Sequence, residues 1–251
     1  MPYQSANVFL GNSLIGRTYL GNNEISYTPY EPPVPISIVT NGLILYFNTT
    51  QTACYPGSGT NVFNLVAGQA ITGSLVNGVT YKDNFLQFNG TNQYMDVPTT
   101  SLNYVTGTST VMGASRYADT SGNGRMISVS NIQTSNWLLG HYADSTLNYY
   151  AGGAIAGTPG GPNDTNWRIY TGTANTSTDR WDFYVNGVNS VTSSTAGSTG
   201  PFGFNIGVSN NNGTRTEWSS GSLAILMLYN RVLSPEEVTQ NYNALKSTVG
   251  L

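Results

Sequence analysis

Between Ile36 and about Leu228 the chain is built of short runs of β-branched, aliphatic and aromatic residues, each closed by a turn signal. The runs that read as strands are Leu43 to Phe47, Phe85 to Phe88, Tyr94 to Val97, Thr110 to Ala114, Arg125 to Val129, Trp137 to Gly140, Trp167 to Thr171, Arg180 to Val185, Phe204 to Val208 and Leu223 to Tyr229. Between them sit Asn41-Gly42, Asn77-Gly78, Asn89-Gly90, Asn186-Gly187 and Asn212-Gly213. Asn-Gly tolerates the positive φ angles of type I′ hairpins. With no helical pattern between the strands, βαβ units are excluded and an antiparallel sandwich or barrel is predicted. The fold class is all-β.

The period changes once, at Ser234-Pro235-Glu236-Glu237-Val238. Ser234 fits an N-cap, Pro235 a pre-set first helical residue, and Glu237 the N3 member of a capping box. Leu233 and Val238 hold staple positions, and Val238, Tyr242 and Leu245 form one apolar face. The spacing predicts one C-terminal helix to about Ser247, lying on the sandwich as a structural element.

The first 36 residues follow another pattern. Phe9-Leu10-Gly11-Asn12 through Ile15 nearly recurs ten residues later as Tyr19-Leu20-Gly21-Asn22 through Ile25, which reads as short strands joined by tight turns. So small a hairpin is marginal in water and calls for a partner surface. Phe9, Leu10, Ile15, Tyr19, Leu20 and Ile25 are therefore the candidate attachment residues. Tyr30-Glu31-Pro32-Pro33-Val34-Pro35 follows as an extended spacer. The chain is divided accordingly into an anchoring or oligomerisation segment, 1–36, and a domain, 37–251.

Composition narrows the function. Charged residues make up 8% of the 251 residues, against roughly 25% in an average soluble domain. Asn, Thr, Ser, Gly and Tyr must cover the surface instead. The net charge is −3, Lys82 and Lys246 are the two lysines, and no basic run occurs, which excludes a nucleic-acid interface. No apolar run reaches the roughly 18 residues of a membrane span. The opening MPYQSANVFLGNSLIG has neither a basic n-region nor an apolar h-region, so synthesis in a cytoplasm is expected. Cys54, the one cysteine, is expected to be a buried structural thiol, and His141, the one histidine, a hydrogen-bonded strand-end residue. There is no Gly-x-Ser-x-Gly elbow and no phosphate-binding Gly-Lys-Ser/Thr loop.

Several of these segments together resemble the concanavalin A-like, or laminin-G-like, jelly-roll family, in particular its members in tailed-bacteriophage virion proteins. The residues that carry the resemblance begin with Gly42-Leu43-Ile44-Leu45-Tyr46-Phe47, Tyr55-Pro56-Gly57-Ser58-Gly59-Thr60 and Leu86-Gln87-Phe88-Asn89-Gly90-Thr91-Asn92-Gln93-Tyr94. They continue with Trp181-Asp182-Phe183-Tyr184-Val185-Asn186-Gly187 and the stretch from Leu223 through Tyr229-Asn230-Arg231-Val232-Leu233-Ser234-Pro235-Glu236-Glu237. The N-terminal Phe-Leu-Gly and Tyr-Leu-Gly units are similar to short repeats preceding receptor-binding or fibre domains of phage proteins. Jointly the resemblance implies a non-enzymatic protein of the virion surface, of capsid decoration or tail-fibre type. Its implied partners are capsid or tail proteins, sister subunits of a homo-oligomer and a host-surface glycan. A glycan-degrading enzyme and a soluble lectin stay open as alternatives.

Glycoside hydrolases on this scaffold are similar to one another in a Glu-x-Asp-x-x-Glu strand, since retaining hydrolysis needs two carboxyl groups about 5–5.5 Å apart. That triplet is absent here. Asp179 and Asp182 are three apart and would face opposite ways on a strand, which leaves Glu217 as the carboxylate available to a sugar site. No cofactor is expected. A Ca²⁺ is left open at Asp119-Thr120-Ser121-Gly122-Asn123-Gly124, although Ser130 stands at the twelfth position, where an EF-hand loop has Glu, and Asn48 where phage relatives often have Asp.

Carbohydrate recognition needs aromatic faces beside amides and carboxylates. Trp137, Trp167, Trp181, Trp218, Tyr149 and Tyr150 are the aromatic candidates, and the first three are expected in the core because they lie in strand runs. The loops 151–166 and 209–219 are the expected seats of function. The candidate glycan-binding set is Trp218, Glu217, Asn211, Asn163 and Tyr150.

Overall fold

The structure, a computed structural model, describes residues 6–10, 13–20, 23–29, 36–98, 108–119, 124–129, 136–142, 146–158, 165–194, 201 and 203–251, with side chains from residue 36 onward except at 146–148 and 156–158. The chain forms two compact units, Met1–Ile36 and Ser37–Leu251. In the first, β1 (Ala6–Leu10), β2 (Ser13–Leu20) and β3 (Asn23–Pro29) make a three-stranded antiparallel sheet in the order β1-β2-β3. Val8 pairs with Ile15 and Phe9 with Leu14 across the first ladder. All six candidate attachment residues fall on these strands. Gly11-Asn12, Gly21-Asn22 and the spacer 30–35 lie outside the described residues.

The second unit is an antiparallel sandwich. Its strands are β4 (Leu43–Asn48), β5 (Asn61–Phe63), β6 (Thr72–Val76), β7 (Thr80–Lys82), β8 (Phe85–Asn89), β9 (Tyr94–Val97), β10 (Thr108–Tyr117), β11 (Ile127–Val129), β12 (Trp137–Tyr142), β13 (Thr146–Ala151) and β14 (Ala154–Thr158). They continue as β15 (Arg168–Asn175), β16 (Arg180–Val185), β17 (Val188–Ser193), β18 (Phe204–Ile206), β19 (Ser209–Asn211), β20 (Thr214–Thr216) and β21 (Ser220–Tyr229). One sheet runs β17-β16-β15-β10-β21-β8-β7, with β4 also paired to β21; the other runs β14-β13-β12-β11-β18-β9-β6-β5. Strands β19 and β20 form a separate hairpin. The all-β sandwich expected from the sequence is what forms.

The inner faces of the two sheets enclose one core, where Phe47, Met95, Ile127, Trp137, Tyr149, Tyr170, Trp181, Phe183, Phe204 and Leu226 meet. Trp137 sets its edge against Tyr149 and Phe204, and Tyr170 stacks on Phe183 at 6.2 Å. Each fully buried Leu or Phe here contributes roughly 1.5–3 kcal/mol. His141 is buried, with a ring nitrogen 3.1 Å from the Tyr170 hydroxyl, and so is a core histidine near the end of β12. Cys54 is also buried, and desolvation pushes its thiol up to about 11, which keeps it protonated and unreactive at neutral pH.

Strand β21 is buried on both faces because a second layer covers the outside of its sheet. Met112, Ile225, Met227 and Tyr229 pack there against Leu233, Val238 and Leu245 of the C-terminal segment. Helix α1 (Pro235–Leu245) starts as predicted, with the Ser234–Glu237 capping box complete, and a 3₁₀ turn, Lys246–Val249, replaces its expected last turn. The Tyr-Asn-Arg motif holds this layer down. Tyr229 Oη donates to Val39 O at 2.8 Å and accepts from Asn241 Nδ2 at 2.9 Å, while Arg231 grips both Glu237 oxygens at 2.7 Å.

Arg231 holds the Glu237 carboxyl below its ordinary value of 4.5, against a smaller opposing effect of burial. A carboxylate with a lowered folded pKa stabilises above its unfolded pKa, and that stability is lost as pH falls through the folded one. Glu237→Gln should therefore cost about 1 kcal/mol at neutral pH, given partial solvent screening. Urea melts between pH 3 and 7 should show the variant losing less stability than the parent as pH drops. Parallel acid limbs would mean that the pair contributes nothing.

The turn chemistry divides. Asn77-Gly78, Asn186-Gly187 and Asn212-Gly213 place both residues at positive φ as expected. Asn186-Gly187 closes β16–β17 and Asn212-Gly213 closes β19–β20, whereas Asn77-Gly78 passes between the sheets. At Asn41-Gly42 and Asn89-Gly90 only the glycine is left-handed, and Asn89 Oδ1 instead accepts the N–H groups of Thr91, Asn92 and Gln93. The expected loops 151–166 and 209–219 are corrected too. The first contains β14, and the second folds into the β19–β20 hairpin because Asn-Gly supplies its turn.

Candidate functional site

Strand β20 hands the chain to β21 through residues 217–219, where the candidate site is built. Glu217 sits at φ +51, a left-handed conformation uncommon for a residue with a Cβ. Such a conformation costs of order 1–3 kcal/mol and persists where its surroundings fix it. Here they do. The Arg125 N–H donates to Glu217 O at 3.0 Å, and Ser219 N–H to Gly207 O at 2.9 Å.

The Glu217 side chain is clamped as well. Arg125, only 7% exposed, donates Nε to Glu217 Oε2 at 2.6 Å, and Tyr142 Oη donates to Oε1 at 3.0 Å. Arg125 is fixed in turn by Asn136 Oδ1 and by the Tyr142 ring, 5.2 Å from its guanidinium carbon. Burial, reinforced by the Glu217 carboxylate, raises the Tyr142 pKa, so the phenol keeps its proton. Glu217 has a cation and a phenol for partners, where retaining hydrolysis wants a second carboxylate.

Beside this clamp, Trp218 lies 6.1 Å from the Tyr94 ring, whose face carries the Arg215 guanidinium at 4.2 Å. Both rings are half-buried. Asp96, two residues along β9, accepts from Asn205 Nδ2 at 3.3 Å; burial raises its pKa, against the nearby Arg215 charge. Asn205 Oδ1, Arg215 Nε and Ser209 Oγ are buried without a hydrogen-bond partner among the described residues. Each costs roughly 1–3 kcal/mol. A rim carrying several such groups is not optimised for stability.

Of the sequence-predicted set, Glu217 and Trp218 belong to this site. Asn211 is half-buried in β19, one register step from the Asn210–Arg215 pair. Tyr150 is half-buried on β13 opposite Leu138 of β12, the strand that carries Tyr142, and lies four strands from Asp96 along the row Leu138, Ser128, Asn205, about 19 Å at the usual strand spacing. Asn163 lies outside the described residues, as do residues 120–123 of the candidate Ca²⁺ loop. Trp137 and Trp181 are core residues, whereas Trp167 is half-buried on the other sheet against Phe85 and Arg116. Asp182 is a structural carboxylate. Burial would raise its pKa, but Arg180, Thr192 and Asn189 outweigh that and hold it below the ordinary value.

Arg125, Tyr142, Asn136, Tyr94 and Arg215 were missed by sequence reasoning. Arg125 and Tyr142 reach Glu217 across 92 and 75 residues of chain, a distance no local pattern reports. The one available signal was Arg215-Thr216-Glu217-Trp218, two charges and an indole together in a chain nearly devoid of charge.

Residues 89–239 match the laminin-G type of the concanavalin A-like lectin/glucanases superfamily, and the chain belongs to that superfamily. No curated protein matches the sequence. Among solved structures, the chain is similar to the Trypanosoma rangeli sialidase in complex with sialic acid, at 15% identity and a TM-score of 0.62. That match covers 99% of this chain and 45% of the sialidase, so the chain spans less than half of it. It is also similar to domain 4 of the Geobacillus stearothermophilus arabinanase AbnA in complex with arabinotriose, at 14% identity and a TM-score of 0.57 over 80% of this chain and 98% of that domain. The binding domain of Paraclostridial mosquitocidal protein 1 matches at 15% identity and a TM-score of 0.59, covering 81% and 52% of the two chains. At these identities the likeness shows the fold.

Proposed function

We propose that this is a non-enzymatic glycan-binding protein displayed on the surface of a phage particle. The sandwich, 37–251, presents the glycan site at the 215–219 rim, and the strands of 1–36 attach it to capsid or tail proteins or to sister subunits. The observation that carries the binding reading is the clamped Glu217 beside Trp218. A carboxylate held in place by Arg125 and Tyr142 keeps lone pairs for sugar hydroxyls, and the indole offers a stacking face. The arabinanase domain with bound arabinotriose and the toxin binding domain support it by shared fold. The virion reading is supported by the resemblance of the N-terminal repeats and by the separateness of Met1–Ile36 as a compact unit.

On a glycan array the full chain should bind a defined set of sugars, and Trp218→Ala with Asn211→Ala should lose that signal at least tenfold. A silent array would leave only a structural cement role. Deleting residues 2–35 should leave a sandwich with an unchanged melting temperature that no longer incorporates into particles. Unfolding of the remainder would overturn the two-part reading.

A hydrolase is the second reading, favoured by the Tyr142–Glu217 hydrogen bond at 3.0 Å, since a tyrosine activated by a carboxylate can serve as nucleophile. It requires turnover that Tyr142→Phe abolishes. Binding without turnover would exclude it.

A further inference from the structure

An edge strand presents unpaired N–H and C=O groups, and proteins guard such edges with charge, proline, a bulge, short length or a cover. Among the described residues, every sheet edge of this chain but one has such a guard. In the sandwich, β5 and β7 are three residues long, and β7 carries Lys82. The ladders joining β14 and β17 to their neighbours are each broken by a register shift. The strands β19 and β20 are three residues long, with Arg215 on β20. The open side of β4 is covered: Asn64 Oδ1 accepts from Tyr46 N at 2.8 Å, Leu65 N donates to Tyr46 O at 2.9 Å, and Cys54 Sγ accepts from Asn48 N at 3.3 Å. In the N-terminal sheet, β3 has Glu24, Pro29 and a register shift. By contrast β1, Ala6-Asn7-Val8-Phe9-Leu10, has neither charge nor proline and pairs with β2 without a shift.

The partner of this edge follows from the sheet itself, which is built by like units pairing. Phe9 faces Leu14 and Leu10 faces Ser13; ten residues later Tyr19 faces Glu24 and Leu20 faces Asn23. A second β1 laid antiparallel about Val8 sets Val8 opposite its own copy, Asn7 opposite Phe9 and Ala6 opposite Leu10. The row Val8-Ile15-Pro29 then runs on into the same row of the other copy, so the joined sheets keep common faces. Self-pairing of a charged strand brings like charges together, which is unfavourable, and β1 carries none.

We infer that β1 pairs with β1 of a second copy of this chain, joining two three-stranded sheets into one about a two-fold axis. The inference rests on the reading of 1–36 as the segment that attaches the sandwich, and it names the partner.

Sedimentation velocity tests it. The full chain should run with the mass of two chains, and deletion of residues 2–35 should leave one. Val8→Lys and Val8→Glu should each weaken association at least tenfold, because like charges then face each other, and an equimolar mixture of the two should restore it. Under mild oxidation Val8→Cys should cross-link between chains, since paired Cα atoms about 4.5–5.5 Å apart suit a disulfide. Ala6→Cys should not, because its copy lies about 14 Å further along the strand. A monomeric full chain, undiminished association of Val8→Lys, or equal cross-linking at Ala6 would overturn the inference. A monomer that still needs residues 2–35 to join particles would sink the pairing and leave the attachment reading standing. A dimer that pairs through β1 but is not taken up by particles would uphold the pairing and sink the virion reading.

Discussion

Gly124→Ala should destabilise the sandwich by at least about 3 kcal/mol and disassemble the 215–219 rim, and with it the glycan binding proposed there. A Cβ at this position would lie 2.3 Å from the carbonyl oxygens of both Glu217 and Trp218, and the backbone holds φ at +90. Backbone atoms cannot step aside as a flexible side chain can. Relief requires the 217–218 turn to lift, which breaks the Arg125 N–H to Glu217 O bond and disturbs the Gly124 carbonyl that accepts from Tyr117 Oη at 2.7 Å. For a domain of this size such a loss lowers the melting temperature by about 6–12 °C. Gly213→Ala is the control. It also has positive φ, +93, but an added Cβ meets nothing within 4 Å, so it should cost about 1–2 kcal/mol and leave the rim assembled. Equal melting temperatures for the two variants would mean that the 217–218 turn does not rest on Gly124.

Arg125→Ala is expected to be the next most damaging change, at about 2–3 kcal/mol. Removing one partner of a buried ion pair typically costs 3–5 kcal/mol, and the figure is discounted because the Glu217 side chain is 33% exposed and can recruit water. The loss has three sources: the ion pair, the contact with Asn136 and the cation over Tyr142. Glu217→Gln should cost a comparable amount. It keeps a shape that accepts from Tyr142 but leaves the Arg125 guanidinium, the more deeply buried partner, without its counter-charge. Denaturant midpoints of both single variants and of the double variant would give the coupling directly. A double variant whose loss equals the sum of the singles would show that the clamp is not a unit.

The strands, their turns and the capped helix were readable because each depends on neighbours within a few residues. Ser234 and Glu237 meet three positions apart, and Asn186-Gly187 and Asn212-Gly213 set their own hairpins. The sequence also shows that Trp181 is core, because it alternates with Phe183 and Val185 on one strand. Local pattern failed where short strands carry little apolar signal, as in β7, β19 and β20. It failed again at Asn89-Gly90, where the Asn side chain competes with the hairpin for the backbone N–H groups.

Sequence pattern accordingly decided the all-β class and the C-terminal helix, since hydrophobic period and turn chemistry are properties of adjacent residues. Which polar groups face one another depended on strand order and register. Only folding brings Arg125 and Tyr142 to Glu217, seats Arg215 on Tyr94, and sets Arg116 over Trp167. A sheet places residues by ladder position, and a ladder is closed by hydrogen bonds between segments whose distance along the chain carries no information about the pairing.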